Sequence, residues 1–154
     1  MIIYITIRFE FSFAIGAVVG LLHNLLITIG LYCLFHRQFN MTTIAALLTV
    51  LGYSVNDTIV VFDRIRETRK LRQGRLDADI VNESVNITLS RTLLTSLTTL
   101  LSVTALMIFG GGAIFDFALA MSIGVVAGTY SSTFIASPVM LAVRPKDTPG
   151  QSKK

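Results

Sequence analysis

The chain has 154 residues, of which 53% are hydrophobic and 14% are charged, and its mean hydropathy is +0.70. Soluble domains carry about a quarter charged residues, and a soluble domain of this size leaves too much surface exposed to hide so many apolar side chains. The same numbers exclude an intrinsically disordered chain. One cysteine excludes a disulfide scaffold, and with two histidines it leaves no ligand set for a Cys/His zinc site.

Four long segments carry no Asp, Glu, Lys or Arg, namely residues 11–36, 38–56, 92–115 and 117–143. A helix needs about 20 residues to cross the hydrocarbon core of a bilayer. The sequence therefore predicts an all-α fold, a polytopic membrane helix bundle with a four-helix transmembrane domain over residues 11–143. The predicted spans are residues 12–35, 41–62, 91–109 and 116–142. The alternative, four buried helices of a large soluble protein, is disfavoured because the chain holds no other segment that covers them.

Residues 1–10 are too short to cross a membrane and lack the features of a signal peptide. We predict that they are the last turns of a preceding helix that is truncated upstream. Spans one and four carry small or polar residues four positions apart, a pattern that lets helices pack closely in lipid. The positions are Gly16, Gly20, Asn24 and Thr28 in span one, and Ala120, Gly124, Gly128, Ser132 and Ala136 in span four. They predict a packing role, which we also assign to Gly52 in span two.

The second charge-free segment is the shortest of the four, and its helix runs past Asp57 toward Asp63. Asp57 therefore lies inside the membrane. The loop that follows, residues 63–90, contains Ile80, Val81, Val85 and Leu89 on one helical face after Asp77, a plausible N-cap. This predicts a short cytoplasmic amphipathic helix on the membrane surface. Packing of the same face on the helix bundle is an equal alternative.

Span three carries hydroxyl side chains along one face, at Thr88, Thr92, Thr95, Thr99 and Ser102. A threonine can satisfy its hydroxyl on a carbonyl of its own helix, but so many suggest a face toward water or toward polar groups of another helix. Arg91 lies at the start of the span. A charge near the bilayer centre costs about 2.5–3.5 kcal/mol on insertion scales. Asp57 and Arg91 are therefore either an interfacial acid and a snorkelling base that shape the bundle, or a proton-carrying carboxylate tuned by a basic neighbour.

The basic residues predict the orientation of the chain. Six of the thirteen lie in the loop 63–90, four in the tail 144–154 and one before span one, whereas Arg37 stands alone on the other side. Both termini, the loop and the tail are therefore predicted to be cytoplasmic. The basic run lacks the aromatic residues that stack on bases, so we expect contact with membrane lipid and not with nucleic acid. On the outer side, Asp116 is predicted to cap span four.

One segment is recognisable. Gly52-Tyr53-Ser54-Val55-Asn56-Asp57-Thr58, with the residues that follow to Glu67, closely resembles the signature of the SecF family of protein-export membrane proteins. Other matching segments are Arg8-Phe9-Glu10, Ala45-Ala46-Leu47-Leu48-Thr49, Ser90-Arg91-Thr92-Leu93, Phe109-Gly110-Gly111 and Gly128-Thr129-Tyr130-Ser131-Ser132. The resemblance covers nearly the whole chain and corresponds to the C-terminal membrane half of the family.

The resemblance implies a membrane subunit that pairs with SecD, in an arrangement similar to the resistance-nodulation-division transporters. The pair is expected to assist the SecYEG translocon in the bacterial inner membrane and to reach preproteins through that complex. Asp57 is then the proton carrier and Arg91 the tuning charge, with Tyr53, Asn56, Thr92 and Thr95 as supporting polar groups. The energy source is the proton gradient, so no enzymatic reaction, cofactor or metal is expected.

Two departures from the family pattern leave alternatives open. The chain has His23-Asn24 where the family usually has His-Asp, and an asparagine cannot carry a proton by ionising. The family's first helices and its large periplasmic domain are absent. The alternatives to an export subunit are a subunit of a proton-coupled efflux transporter and a truncated scaffold that transports nothing.

Overall fold

The computed structural model describes residues 11–72 and 77–143, and every helix in these ranges is α-helical except for one π-helical turn. Helix α1 is Phe11–Leu34, α2 is Met41–Leu71, α3 is Ala78–Phe109 and α4 is Gly112–Ser131. The π turn Ser132–Ala136 joins α4 directly to a short α5, Ser137–Val143. The predicted end of a preceding helix, residues 1–10, and the predicted tail, residues 144–154, lie outside the described residues.

Within the described ranges, four stretches are long and apolar enough to cross a membrane: Ser12–Leu34, Met41–Leu71, Ala78–Phe109 and Gly112–Val143. The last one contains α4, the π turn and α5. Helix α4 packs against α1, α2 and α3, so it forms the centre of the bundle. The predicted four-helix membrane bundle is confirmed.

Two apolar clusters hold the helices together. The first joins α1, α2, α3 and α5 at one end of the bundle and includes Phe13, Phe62, Ile65, Ile80 and Met140. The second joins the other ends of the helices and includes Tyr32, Val50, Val103, Met121 and Val125. Polar side chains fill the interior between them, among them Asn24, Ser54, Thr58, Thr92, Ser131 and Ser132.

The loop between the second and third spans differs from the prediction. Helix α2 continues to Leu71 and α3 already begins at Ala78, so most of residues 63–90 is helical and no separate surface helix forms. Ile80 and Val81 are 5% exposed and pack on Phe62 and Ile65 in the first cluster. Burial of such side chains is worth about 1.5–3 kcal/mol each, which favours packing on the bundle. Asp77 lies at the N-cap of α3 without a side-chain capping hydrogen bond.

The connection between α1 and α2 contacts the start of α4. Asn40 caps α2, accepting a hydrogen bond from the backbone N–H of Thr43 at 2.8 Å. Asp116 lies within the second turn of α4, and instead of capping that helix it accepts hydrogen bonds from both Nε (2.8 Å) and Nη2 of Arg37. Arg37 also lies over the ring of Phe115. An ion pair thus joins the α1–α2 connection to the start of α4.

Candidate proton site in the membrane

Glycines set the approach of α4 to its neighbours. A Cβ at Gly124 would collide with the side chain of Val50 on α2, and one at Gly128 would lie 2.9 Å from Nδ2 of Asn24 on α1. Further along the same face of α1, a Cβ at Gly16 would lie 2.8 Å from Cβ of Met140, and one at Gly20 would lie 3.1 Å from Cβ of Ala136. These positions are therefore close contacts between helices.

Gly52 is the exception among the predicted packing glycines. A Cβ there would meet nothing within 4 Å, and the residue is exposed on α2. The described part of the chain offers it no packing partner.

The carboxylate of Asp57 lies at the junction of α2, α3 and the π turn. Thr92 on α3 donates to Oδ1 at 2.8 Å, and Ser132 at the start of the π turn donates to Oδ2. Asp57 is half-buried, whereas both hydroxyl groups belong to buried residues. Each carboxylate oxygen therefore has one donor, and each donor comes from a different helix.

Asp57 also lines a cleft between α2 and α3 that is open to the outside of the bundle. The cleft has a volume of about 290 Å³, and its walls include Tyr53, Asn56, Arg91, Thr92 and Thr95. A water molecule occupies about 30 Å³ of the liquid, so the cleft holds several. The predicted acid, base and supporting polar groups of α2 and α3 are thus brought to one space.

Arg91 lines this cleft without an ion pair to Asp57. Its side chain is exposed and, within the described ranges, has no hydrogen bond or salt bridge. It also lines a second cleft of about 350 Å³ together with Asp63, Arg64 and Glu67 of α2. Arg91 therefore lies between the carboxylate of Asp57 and the second cleft, which is lined by charged residues of α2.

The hydroxyl face of α3 divides into two groups. Thr95 and Thr98 donate only to carbonyls of their own helix, which is the simple structural use of a threonine. Thr92, Ser96 and Thr99 reach other helices, where their partners are Asp57, Thr129 at 2.6 Å and Tyr53 at 3.5 Å. Thr92 contacts the acid directly, whereas Thr95 lies only on the wall of the cleft.

His23 and Asn24 lie apart from this cluster. Asn24 is fully buried, accepts from Thr28 and leaves Nδ2 without a partner against Gly128. The ring of His23 lies 6.3 Å from that of Tyr130, and Nδ1 has no partner among the described residues. Neither side chain hydrogen-bonds Asp57.

Ser132 is the site residue whose contact the sequence does not reveal. Its position in the small-residue pattern of span four indicates packing alone. The nearest signal is Pro138, which lacks an N–H and thereby disturbs the helix in the turn that precedes it. No group of His, Cys, Asp and Glu in the described ranges is arranged to hold a metal ion. The site's chemistry is therefore that of one carboxylate with two hydroxyl donors and a nearby cation at a polar cleft.

Comparison with known proteins agrees with the sequence signature. Residues 1–146 match the family described as protein export membrane protein SecD/SecF, C-terminal. Protein translocase subunit SecF of Cereibacter sphaeroides is 51% identical over 139 residues, which are 90% of this chain and 43% of that protein. Protein translocase subunit SecDF of Thermus thermophilus is 46% identical, over 92% of this chain and 19% of that protein.

A crystal structure of SecDF in a super-membrane-facing form matches with a TM-score of 0.85 and 47% identity, over 92% of this chain and 19% of that one. The chain spans less than half the length of the SecF proteins that it resembles, such as 48% of the one from Rhodothermus marinus. The family predicted from the signature around Asp57 is confirmed. The chain belongs to the SecD/SecF family of protein export membrane proteins.

Proposed function

We propose that this chain is the membrane part of a SecD/SecF accessory complex that uses the proton gradient to assist Sec-dependent protein translocation across the bacterial plasma membrane. Its work is proton-driven transport and not an enzymatic reaction. The translocase subunits that it resembles support the export role. The observation that carries the proton-driven role is the carboxylate of Asp57, which lines a polar cleft between two predicted spans and has a hydroxyl donor on each oxygen.

The arrangement suits a group that gains and loses a proton. The cleft connects Asp57 to the outside of the bundle, so a proton can reach it through water. Hydroxyl groups serve both forms of a carboxyl group, because a hydroxyl both donates and accepts. A proton that crosses the membrane through such a site releases about 2.3 kcal/mol per 100 mV of membrane potential.

Arg91 is the tuning charge in this proposal. It shares the cleft with Asp57 and is not fixed by another ion pair in the described ranges. A movement of Arg91 toward the carboxylate favours the ionised form, and a movement away favours the protonated form. A helix movement that changes this distance therefore couples proton release to conformational change.

SecD is the proposed partner in the membrane, and SecYEG and preproteins are reached through the complex. A relative that carries the name SecDF supports SecD as the partner. Helix α3 leaves Leu94, Leu97 and Leu101 exposed beside the hydroxyls of Thr95 and Thr98. In the proposed orientation both termini and the connection between α2 and α3 are cytoplasmic, as the basic residues predict.

The test compares Asp57→Asn with Asp63→Asn in the full-length complex. Asp63 is an exposed acid on the same helix that does not line the cleft of Asp57, so its replacement removes the same charge and leaves the hydrogen bonds of Asp57 in place. Preprotein translocation into inverted vesicles is measured with an intact proton gradient and with the gradient collapsed. We expect Asp57→Asn to be present in the membrane at normal level and to lose the gradient-dependent part of translocation, while Asp63→Asn retains it. A normal gradient-dependent part in Asp57→Asn would exclude Asp57 as the carrier.

A further inference from the structure

The hydroxyl of Ser132 has two acceptors within reach. It donates to Oδ2 of Asp57, and the carbonyl oxygen of Thr129 lies 3.2 Å from the same Oγ. A serine has one hydroxyl hydrogen and two lone pairs, so it can fully satisfy only one acceptor at a time. One of these acceptors changes its charge on protonation and the other does not.

We propose that Ser132 is a positioning residue that responds to the protonation of Asp57 by exchanging its hydrogen-bond acceptor; this rests on the proton-carrying role proposed above. When Asp57 is ionised, Ser132 donates to Oδ2. When a proton from cleft water binds Oδ2, the new O–H donates to Oγ of Ser132, and the serine hydrogen turns to the carbonyl of Thr129. The bond formed is between Oδ2 and the arriving proton, the bond broken is in the hydronium that delivers it, and Ser132 keeps its own hydrogen.

The two donors to Asp57 differ in this respect. Thr92 donates to Oδ1 and has no second acceptor among the described residues. Its best arrangement is therefore to remain a donor to the oxygen that stays unprotonated. Ser132 has an alternative acceptor already in place, which makes Oδ2 the oxygen that can take the proton without leaving a hydroxyl hydrogen unpaired.

The backbone at Ser132 is also unusual. Ser132 begins the π turn, and Oγ of Ser137 donates to its carbonyl oxygen at 3.4 Å, five residues back. Pro138, which follows, has no N–H to offer to the preceding turn. Single π turns within α-helices occur often at functional sites. The π turn thus begins at Ser132, the residue whose hydroxyl contacts Asp57.

The other titratable groups near Asp57 do not contact Ser132. Arg91 and Tyr53 line the cleft from α3 and α2, and His23 on α1 lies against the ring of Tyr130. None of the three hydrogen-bonds Ser132 in the described ranges. A change in the titration of Asp57 on removal of the Ser132 hydroxyl thus reports on the contact between these two residues.

Ser131 provides a matched control. It is the neighbouring residue and, like Ser132, is fully buried. Its hydroxyl donates to the carbonyl oxygen of Gly20 on α1 at 2.6 Å, so it bonds a neutral acceptor across another helix contact. Removal of either hydroxyl leaves a buried polar group without its partner, but only Ser132→Ala removes a donor from Asp57.

The experiment measures the protonation of Asp57 in the full-length complex in membranes. A hydrophobic carbodiimide modifies protonated carboxyl groups in membranes, and mass spectrometry gives the modified fraction of Asp57 at each pH. In Ser132→Ala we expect the midpoint to move to higher pH by about one unit, a tenfold change in proton affinity, because the ionised form loses a donor. Ser131→Ala is expected to keep the wild-type midpoint, and Ser132→Thr, which restores a hydroxyl, is expected to move it back.

An unchanged midpoint in Ser132→Ala overturns the proposal. Should Ser132→Ala fail to accumulate in the membrane, Ser132→Cys replaces the hydroxyl by a weaker donor of similar size, and an unchanged midpoint there overturns it equally. A modified fraction of Asp57 that is the same at every pH contradicts both this inference and the proton-carrying role. Titration of Asp57 with no shift in the Ser132 variants contradicts this inference alone.

Discussion

Two hydroxyl groups make a carboxylate tolerable in an apolar helix of this protein. A carboxylate in the membrane centre costs about 2.5–3.5 kcal/mol on insertion scales, and a hydrogen bond to a charged group contributes about 1.5–3 kcal/mol. Thr92 and Ser132 together therefore offset the cost of Asp57 without an ion pair. This explains how Arg91 can share the cleft with Asp57 and still remain unpaired in the described ranges. In the proposed mechanism this leaves Arg91 available as the tuning charge.

Substitution of glycine by alanine is predicted to have opposite effects on stability at two positions. Gly124→Ala places a methyl group on Val50, and overpacking of this kind costs about 1–3 kcal/mol. Gly52→Ala meets open space in the middle of α2, where alanine is favoured over glycine by about 0.5–1 kcal/mol. Unfolding of the isolated chain in detergent micelles should therefore show Gly124→Ala destabilised and Gly52→Ala unchanged or stabilised. Equal losses at both positions would contradict the packing described for α4.

The sequence reveals some of these residues and not others. The gaps between charges place Asp57 and Arg91 in the membrane, and the hydroxyl spacing of α3 includes Thr92. The contact of Ser132 stays hidden because a four-residue spacing drifts around a helix of 3.6 residues per turn. In the structure the stripe of span four faces α2 at Gly124, Asp57 at Ser132 and α1 at Ala136. A repeated spacing therefore predicts close packing but not which neighbour each residue meets.

At the scale of helices, the existence of each span follows from the sequence but the helix ends do not. Loss of hydropathy marks where a chain leaves the membrane, and a helix can continue into water beyond that point. Helix α2 does so to Leu71, and α3 begins at Ala78, well before its apolar part. The first turns of α3 pack on the bundle through Ile80 and Val81. The charged residues between the two spans predict where the chain leaves the membrane. The burial of Ile80 and Val81 explains why α3 begins earlier than its apolar part.

The outer ion pair gives a prediction at this scale. Arg37 and Asp116 join the α1–α2 connection to α4, and the hydrogen bond with Asp116 raises the pKa of Arg37 above its usual value. The raised pKa keeps Arg37 charged at neutral and mildly alkaline pH. The stabilisation that the ion pair provides is therefore present at these pH values and is lost only as the pH rises through the raised pKa of Arg37. Asp116→Asn is expected to lower the thermal unfolding temperature, and the loss should shrink at high salt, which screens exposed charges.

Arg64→Gln is the control for this prediction. It removes an ion pair with Glu67 that lies three residues along the same helix and joins no separate elements. We expect Arg64→Gln to lower the thermal unfolding temperature less than Asp116→Asn does. If both variants lower it by the same amount, the pair of Arg37 and Asp116 has no special role in joining the α1–α2 connection to α4.

At the scale of the whole molecule, the chain corresponds to less than half of a SecF protein and leaves one side of the bundle open. The membrane part of α3 is the least buried of the four predicted spans. Apolar side chains alone indicate contact with lipid, but the adjoining cleft is lined by Asp57 and Arg91. In the proposed complex, SecD covers this side and completes the surroundings of the site. The membrane bundle is thus predictable from one sequence, whereas the contacts of the open side are not.

The proposed orientation can be tested with introduced cysteines. Cys33, the chain's single cysteine, is exposed near the C-terminal end of α1, so it is first replaced by alanine. Gln38→Cys then places an exposed thiol in the α1–α2 connection, and Asp79→Cys places one in the first turn of α3, at the opposite end of the bundle. A membrane-impermeant maleimide should label residue 38 in intact spheroplasts and residue 79 only in inverted vesicles. The reverse result would invert the topology.

Proton flux through the full-length SecD/SecF complex in liposomes addresses Asp57 most directly. A pH-sensitive dye inside the liposomes follows proton entry under an imposed gradient. We predict that the wild type and Asp63→Asn conduct protons and that Asp57→Asn falls to the level of liposomes without protein. Wild-type flux in Asp57→Asn, with the variant correctly inserted, would contradict the assignment of Asp57 as the proton carrier.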